Sequence, residues 1–131
     1  MANKVETYWG EQWEMVVIPN KTTNTDYFIS NFGRVKSVDQ LSTRERLVKG
    51  SVNPNGSIRI TIRLDNKDKR KYILVHRFVA DHFLEKPSEN HKFVVHLDFT
   101  KSNNNTENLR WMTQEELNIH AKTSPLYKQA K

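Results

Sequence analysis

Residues 94–121 read VVHLDFTKSNNNTENLRWMTQEELNIHA, and this stretch decides the fold class. Its apolar start predicts a strand, the asparagine-rich segment after it predicts a loop, and residues 109–112 predict a second short strand. Thr113 and Glu116 have the spacing of a capping box, in which each side chain accepts a hydrogen bond from the other residue's backbone N–H. A helix therefore begins here and runs to about Lys122. Strand, loop, strand and helix together predict a small α+β unit.

Upstream, a second pattern predicts a β-hairpin with one charged face. Residues 58–64 alternate isoleucine or leucine with arginine or threonine, so the apolar side chains share one face and both arginines lie on the other. Residues 65–68 predict the hairpin turn, and residues 69–75 predict the returning strand. An apolar stripe at residues 75, 78, 79 and 83 then predicts a helix that ends before Pro87.

The N-terminal part of the chain predicts short strands and turns. Strands are expected over residues 13–18, 27–29 and 34–38, and Gly33 can take the positive φ of a turn before the last of them. The predicted fold class is therefore α+β, with a small antiparallel strand-rich N-terminal unit followed by the hairpin, the helix and the strand–loop–strand–helix stretch.

Composition excludes several classes of protein. The chain has 131 residues and no cysteine, which excludes disulfides, cysteine-based zinc sites and thiol nucleophiles and favours a reducing compartment. No apolar run approaches the roughly 18 residues of a spanning helix, so no membrane partner is expected. The first residues lack the apolar segment of a secretory signal, and the expected location is the cytoplasm.

The formal net charge of +6 is concentrated in the middle of the chain. Residues 46–86 hold 10 Lys and Arg against 4 Asp and Glu, whereas residues 1–45 hold 5 against 6 and residues 87–131 hold 6 against 5. A focused basic segment is typical of proteins that bind a polyanion such as nucleic acid. An exposed strand face whose Lys and Arg serve only to keep the protein soluble would give the same counts of charged residues.

Three stretches resemble one family of nucleases. Residues 76–83, HRFVADHF, resemble a helix of HNH-type homing endonucleases, and residues 95–111 resemble their ββα-metal motif through VHLD, KSNN and ENLRW. Residues 11–37 resemble the nuclease-associated modular domain that often precedes this motif in phage-encoded enzymes. The resemblance implies a modular strand-rich segment at residues 1–50, an HNH-like ββα-metal domain with the basic hairpin at residues 51–124, and a tail at residues 125–131.

The resemblance also implies roles for single residues. His96 falls on the position of the general base, which removes a proton from water. Asn103, Asn104 and Asn108 match the asparagines that brace the loop through bonds to the backbone, a structural role. An active member would use Mg²⁺ or Mn²⁺ to neutralise the charge that develops on the leaving oxygen, whereas an inactive one would need no cofactor.

The chain departs from the family at the two positions that usually bind the metal. The residue before the general base, normally Asn or Asp, is Val95, and the helix position that normally carries Asn is Leu117. Neither side chain can provide the oxygen ligand that a hard cation requires. The metal ligands therefore stay unassigned, and loss of cleavage is favoured over a site rebuilt from the possible substitutes Asp98, Asn118 and His120.

The expected DNA-binding surface is a set of eight cations. Arg59 and Arg63 lie on one strand of the hairpin beside basic residues of the returning strand, and such a ribbon fits the major groove of duplex DNA. Phosphate contacts would supply most of the affinity. Two cations of the modular segment and one at the start of the helix extend the surface. The full set is Arg34, Lys36, Arg59, Arg63, Lys69, Arg70, Lys71 and Arg77.

Three functions are left open by these residues. The first is a double-stranded-DNA-binding protein of this family with impaired or lost cleavage. The second is an active, divalent-metal-dependent nicking endonuclease with His96 as its general base. The third is a former nuclease scaffold that binds and inhibits a host or phage protein. A phage-encoded chain would act in the cytoplasm of its host.

Overall fold

The computed structural model describes residues 4–65 and 67–124, and it has the predicted α+β fold class. Three antiparallel sheets and two α-helices form the regular structure of these residues. The tail expected at residues 125–131, and Asn66 of the expected hairpin turn, lie outside the described residues.

The first sheet has four antiparallel strands in sequence order. They are β1 (Trp13–Met15), β2 (Thr25–Ser30), β3 (Val35–Asp39) and β4 (Glu45–Val48). β1 ends before the predicted end at Ile18, although Val16 N–H still donates to Tyr27 O at 2.8 Å and both Val16 and Ile18 pack into the core. β4 was not predicted. Its sequence, ERLV, has no apolar alternation, and pairing with β3, with Val48 opposite Val35, determines the strand.

The second sheet contains the predicted hairpin. Its strands are β5 (Ser51–Val52), β6 (Ile58–Arg63) and β7 (Arg70–Leu74). The alternation predicted for β6 is confirmed, because Ile60 and Ile62 are buried while Arg59, Thr61 and Arg63 are exposed. The turn closes with Leu64 N–H donating to Lys69 O at 2.8 Å. β5 was not predicted, and only two of its residues pair with β6.

A helix and a shared core connect the sheets. Helix α1 (Val75–Phe83) begins directly after β7 and ends before Pro87, as predicted. Its buried side chains join a core that has members from the modular segment (residues 1–50) and from the HNH-like segment (residues 51–124). Each buried aliphatic side chain contributes roughly 1.5–3 kcal/mol to the free energy of unfolding. The members include Ile29, Val35, Ile60, Ile62, Ile73, Val79 and Leu109.

The last part of the described chain is the ββα unit. It consists of β8 (Phe93–His96), a short 3-10 helix (Thr106–Asn108), β9 (Leu109–Met112) and α2 (Gln114–Ala121). The predicted capping box is confirmed, because Glu116 N–H donates to Thr113 Oγ1 at 3.2 Å and Thr113 N–H donates to Glu116 Oε1 at 3.1 Å. With nine and eight residues, the two helices of the described part are far shorter than a membrane crossing requires.

Candidate functional site

His96 is the last residue of β8, and its imidazole is buried in the ββα unit. Only 4% of the residue is exposed. Its Nε2 lies 2.8 Å from Oδ1 of Asn104, which is 5% exposed. An amide oxygen accepts and cannot donate, so the hydrogen of the neutral ring is on Nε2 and Nδ1 carries a lone pair. This is the tautomer in which Nδ1 can accept a proton.

The surroundings keep His96 neutral. Burial lowers the pKa of His96 below its ordinary value, and the nearby charge of Lys101 acts in the same direction. The hydrogen bond to Asn104 and the charge of Asp98 oppose this shift without reversing it. A neutral imidazole is the form that a general base requires.

A second imidazole packs against the first. The rings of His76 and His96 are 4.9 Å apart between centroids. Burial lowers the pKa of His76 from 6.5 to about 4, aided by the charges of Lys101 and Arg77. Nδ1 of His76 is buried without a hydrogen-bond partner among the described residues. No role for His76 is predicted from the sequence, in which its place in the HRFVADHF stretch is the one available signal.

Asp98 braces the loop between β8 and β9. Its Oδ1 accepts from Thr100 N–H and from Asn108 Nδ2, both at 2.8 Å, and its Oδ2 accepts from Asn103 Nδ2 at 3.0 Å. Asn108 also accepts from Asp98 N–H at 3.0 Å and donates to Asn103 O at 2.9 Å. These hydrogen bonds lower the pKa of Asp98. Asn103 and Asn108 therefore hold the loop through Asp98, while Asn104 contacts the imidazole.

Val95 and Leu117, the two positions at which the resemblance would place metal ligands, line a mainly apolar cavity of about 330 Å³. Val95 is 8% exposed, and Leu117 of α2 is half-buried on the facing wall. Phe99 is a further lining residue that the sequence analysis missed, and it holds a φ of +63°, in a region that favours glycine or asparagine. The lining also includes the polar residues His96, Lys101, His120 and Ser124. It contains no side-chain carboxylate or amide oxygen, so the lining residues do not fit a hard cation such as Mg²⁺ or Mn²⁺.

The possible substitute ligands are used in other ways. Asp98 is bound by the loop, and Asn118 is exposed and accepts from Gln114 Nε2 at 2.9 Å. His120 stacks on Phe99, with its Nε2 3.3 Å from His96 O. Within residues 4–65 and 67–124, no three His, Asp or Glu side chains are grouped so that they could hold a metal ion.

The outer face of the second sheet is basic. Arg63 lies opposite Arg70, Thr61 lies opposite Tyr72, and Arg59 lies opposite Leu74. The guanidinium of Arg59 lies 5.2 Å from the centre of the Tyr72 ring, which is 61% exposed. Arg63 and Arg70 are exposed, and the 3.5 Å contact from Arg63 to Asp68 is a surface pair of little strength. Three arginines and a tyrosine thus form one solvent-facing surface, here called the ribbon face.

The other expected cations of the hairpin lie elsewhere. Lys71 is opposite Ile62, so it belongs to the face of the strand that carries the core residues, although its side chain is exposed at the sheet end. Lys69 is exposed in the turn before β7. Arg77 is exposed on α1, with its guanidinium 5.9 Å from the centre of the Trp111 ring.

Arg34 is not available to a phosphate, which corrects the sequence-based expectation. Its Nε donates to Oε2 of Glu11 at 2.8 Å, and its guanidinium lies 4.1 Å from the centre of the Tyr8 ring. The Glu11 side chain is 0% exposed. Burial alone would raise the pKa of Glu11, but hydrogen bonds from Arg34 and from the Tyr8 backbone lower it below its ordinary value. Arg34 is therefore a structural partner of a buried carboxylate.

Lys36 requires the same correction. It is 9% exposed, and its Nζ donates to Oε1 of Glu45 at 3.1 Å while lying 4.5 Å from the centre of the Trp13 ring. Both charges of the modular segment that were expected to extend the DNA-binding surface are thus neutralised inside the first sheet.

Comparisons with known proteins agree with this architecture. Residues 11–63 match the family described as NUMOD4 motif, and residues 74–119 match the family described as HNH endonuclease. An uncharacterised HNH endonuclease of Acanthamoeba polyphaga mimivirus is 35% identical over 97 residues, which are 74% of this chain and 27% of that protein. The DNA endonuclease I-HmuI of Bacillus phage SP01 is 39% identical over 89 residues, which are 68% of this chain and 47% of that protein.

A solved structure gives the same relationship. The structure described as DNA binding and cleavage by the HNH homing endonuclease I-HmuI matches with a TM-score of 0.64 and 30% sequence identity. The match covers 91% of this chain and 63% of that chain. The chain spans less than half the length of the two curated relatives described above.

Proposed function

The chain belongs to the HNH homing endonuclease family, and from this premise we propose that it binds double-stranded DNA without cleaving it. The observation that carries the proposal is the apolar cavity at the family's metal positions, set beside an exposed basic ribbon face. The description of the related endonuclease names DNA as what it binds and cleaves. Double-stranded DNA is the partner proposed for this chain, in the cytoplasm.

The ribbon face supports binding. Arg59, Arg63 and Arg70 project from adjacent antiparallel strands, and strands of this kind are about 5 Å apart. A two-stranded ribbon is narrow enough to enter the major groove, and arginine can contact both phosphates and guanine edges. Lys69, Lys71 and Arg77 add positive charge around this face and would contribute phosphate contacts.

The loss of cleavage follows from the missing oxygen donors. Hydrolysis in this family's chemistry needs a base for water and a cation for the leaving oxygen. The neutral, buried His96 meets the first requirement, a base for water. Val95 and Leu117 provide nothing for the second, and Asp98 is occupied by three hydrogen bonds. Under this proposal the chain uses no divalent cation.

An active nicking endonuclease is the second candidate, favoured by the retained tautomer of His96. It would need Asp98 to leave the loop and bind Mg²⁺ or Mn²⁺ itself. The third function, inhibition of a host or phage protein, stays a prediction.

Two measurements test the proposal. Supercoiled plasmid is incubated with the chain and Mg²⁺ or Mn²⁺, with His96→Ala as the matched control, and both proteins are expected to leave it intact. Binding to a short DNA duplex is measured by fluorescence anisotropy over a range of salt concentrations, and a steep decrease of affinity with salt is expected. Nicking by the wild-type chain alone would establish the active enzyme instead, and undetectable or salt-independent binding would contradict the DNA-binding proposal.

A further inference from the structure

The turn between β2 and β3 touches the loop that holds the imidazole. Gly33 in this turn has a φ of +84°, and a Cβ at this position would lie 2.5 Å from the carbonyl carbon of Asn104 and 2.7 Å from the Asn104 Cβ. Atoms at these distances overlap, so the turn can approach the loop this closely only because residue 33 has no side chain.

A backbone hydrogen bond joins the same two segments. Thr106 N–H donates to Asn31 O at 2.9 Å. The turn itself is fixed from within by Ser30, which is fully buried and accepts at its Oγ from Phe32 N–H and Arg34 N–H. A turn held in this way presents a constant surface to the loop.

We propose that Gly33 is a positioning residue for His96, acting through Asn104. The turn holds the Asn104 backbone, Asn104 Oδ1 accepts from His96 Nε2, and this hydrogen bond keeps the lone pair of the imidazole on Nδ1. Which nitrogen of a histidine carries the hydrogen is set by the bond that the other nitrogen makes. The NUMOD4-like segment is then part of the catalytic architecture, because it determines the tautomer of a base that lies 63 residues further along the chain.

The same contacts tie the surroundings of His96 to the packing of the whole fold. The close packing of Gly33 against Asn104 joins the first sheet to the ββα unit. If these two residues moved apart, an unfilled space would form between the sheet and the unit. The arrangement around His96 is therefore maintained by the stability of the fold, with or without cleavage. The inference goes beyond DNA binding and does not depend on it.

The experiment reads the tautomer directly in the full chain, without DNA and without metal. Long-range ¹H–¹⁵N correlation spectra of the histidine rings distinguish a protonated from an unprotonated ring nitrogen, and His96→Gln assigns the signal of His96. The wild-type spectrum is expected to show a hydrogen on Nε2 alone. In Gly33→Ala the two nitrogen signals of His96 are expected to move towards the averaged positions of an exposed histidine.

Gly10→Ala is the matched control. Gly10 has a φ of +78°, so alanine meets the same backbone strain, but within residues 4–65 and 67–124 its Cβ would meet only Phe32 Cζ, at 3.9 Å. This variant is expected to keep the wild-type spectrum of His96. Asn104→Asp keeps an acceptor oxygen and is expected to retain the Nε2–H pattern, whereas Asn104→Leu is expected to lose it.

Thr106→Pro keeps the test decisive where Gly33→Ala fails to fold. It removes the N–H that binds Asn31, at the first position of a 3-10 helix that follows an extended residue, and proline is well tolerated there. A shift of the His96 signals in this variant supports the proposal. An unchanged Nε2–H pattern in folded Gly33→Ala, or in Thr106→Pro where Gly33→Ala is unfolded, would overturn it. Weak DNA binding by the wild-type chain would contradict only the proposed function, since the spectra contain no DNA.

Discussion

The Phe99 ring lies flat on the His120 imidazole, with 4.3 Å between the ring centroids and 8° between the planes. Phe99 holds a positive φ, which costs a non-glycine residue on the order of 1–3 kcal/mol. Stacking of the two aromatic rings offsets part of this strain energy, by roughly 0.5–1.5 kcal/mol. The pair lines the same cavity as Val95 and Leu117, so three apolar side chains lie at the positions where the resemblance would place the metal site.

Restoring the oxygen donors is expected to restore metal binding and nicking. In Val95→Asn/Leu117→Asn/Phe99→Gly, two amide oxygens face the cavity and glycine removes both the ring and the backbone strain. We expect Mn²⁺ affinity to rise at least about tenfold by calorimetry, which corresponds to about 1.4 kcal/mol. Plasmid nicking with Mn²⁺ is expected to rise above the wild-type level.

Two controls distinguish the effect of the added oxygen ligands from the effect of the enlarged cavity. Val95→Ala/Leu117→Ala/Phe99→Gly opens the same cavity without oxygen ligands and is expected to bind no more Mn²⁺ than the wild type. Adding His96→Ala to the asparagine variant is expected to keep the metal and abolish nicking. If the asparagine variant gains neither property, loss of the donors is not the reason for inactivity.

Removing two arginines of the ribbon face is expected to weaken DNA binding and reduce its dependence on salt. For Arg59→Ala/Arg63→Ala, the slope of log affinity against log salt should decrease by about 2, since each phosphate contact contributes roughly 0.9. Arg44→Ala/Arg46→Ala removes the same charge from two exposed positions, one just before β4 and one within it. Anisotropy titrations of both variants measure the difference, and equal losses would contradict binding through the ribbon face.

Arg34→Ala is expected to destabilise the fold and leave DNA affinity unchanged. The substitution leaves the fully buried Glu11 carboxylate without its cation, which costs about 3–5 kcal/mol. Because the folded chain holds the pKa of Glu11 below 4.5, the stabilisation is present above pH 4.5 and is lost as the pH falls through the folded pKa. Urea unfolding should therefore show a difference from the wild type at neutral pH that narrows in acid. A loss of DNA affinity in folded Arg34→Ala would show that Arg34 does belong to the DNA-binding surface.

The sequence could predict the elements whose signal is local. Strict alternation in β6 requires only neighbouring residues, and so does the capping box of Thr113 and Glu116. β4 and β5 carry no such local pattern, since they become strands only by pairing with β3 and β6.

The residues of the site also divide into those with a local sequence signal and those whose partners are distant in the chain. The resemblance singled out His96 and Asn104, which lie eight residues apart, but it did not predict the hydrogen bond between them. Arg34 and Lys36 looked like free cations because the carboxylates that neutralise them, Glu11 and Glu45, lie 23 and 9 residues away in the chain. Such long-range pairs leave no pattern in the sequence around either residue.

Acid is expected to destabilise the chain through His76. Burial lowers the pKa of His76 from 6.5 to about 4, so between these pH values the unfolded chain binds a proton that the folded chain does not. The contribution of the neutral His76 ring to the free energy of unfolding is complete above pH 6.5 and is lost as the pH falls towards 4. The loss is at most about 3 kcal/mol, because the ring is partly exposed and solvent screens part of the effect. We expect urea unfolding at neutral pH and near pH 4.5 to show a larger loss for the wild type than for His76→Gln, which has no ring to protonate. His82→Gln, on the same helix but in contact with Glu14 at 3.4 Å, is the matched control and should keep the wild-type loss. Equal losses in all three proteins would mean that His76 is not buried as a neutral ring.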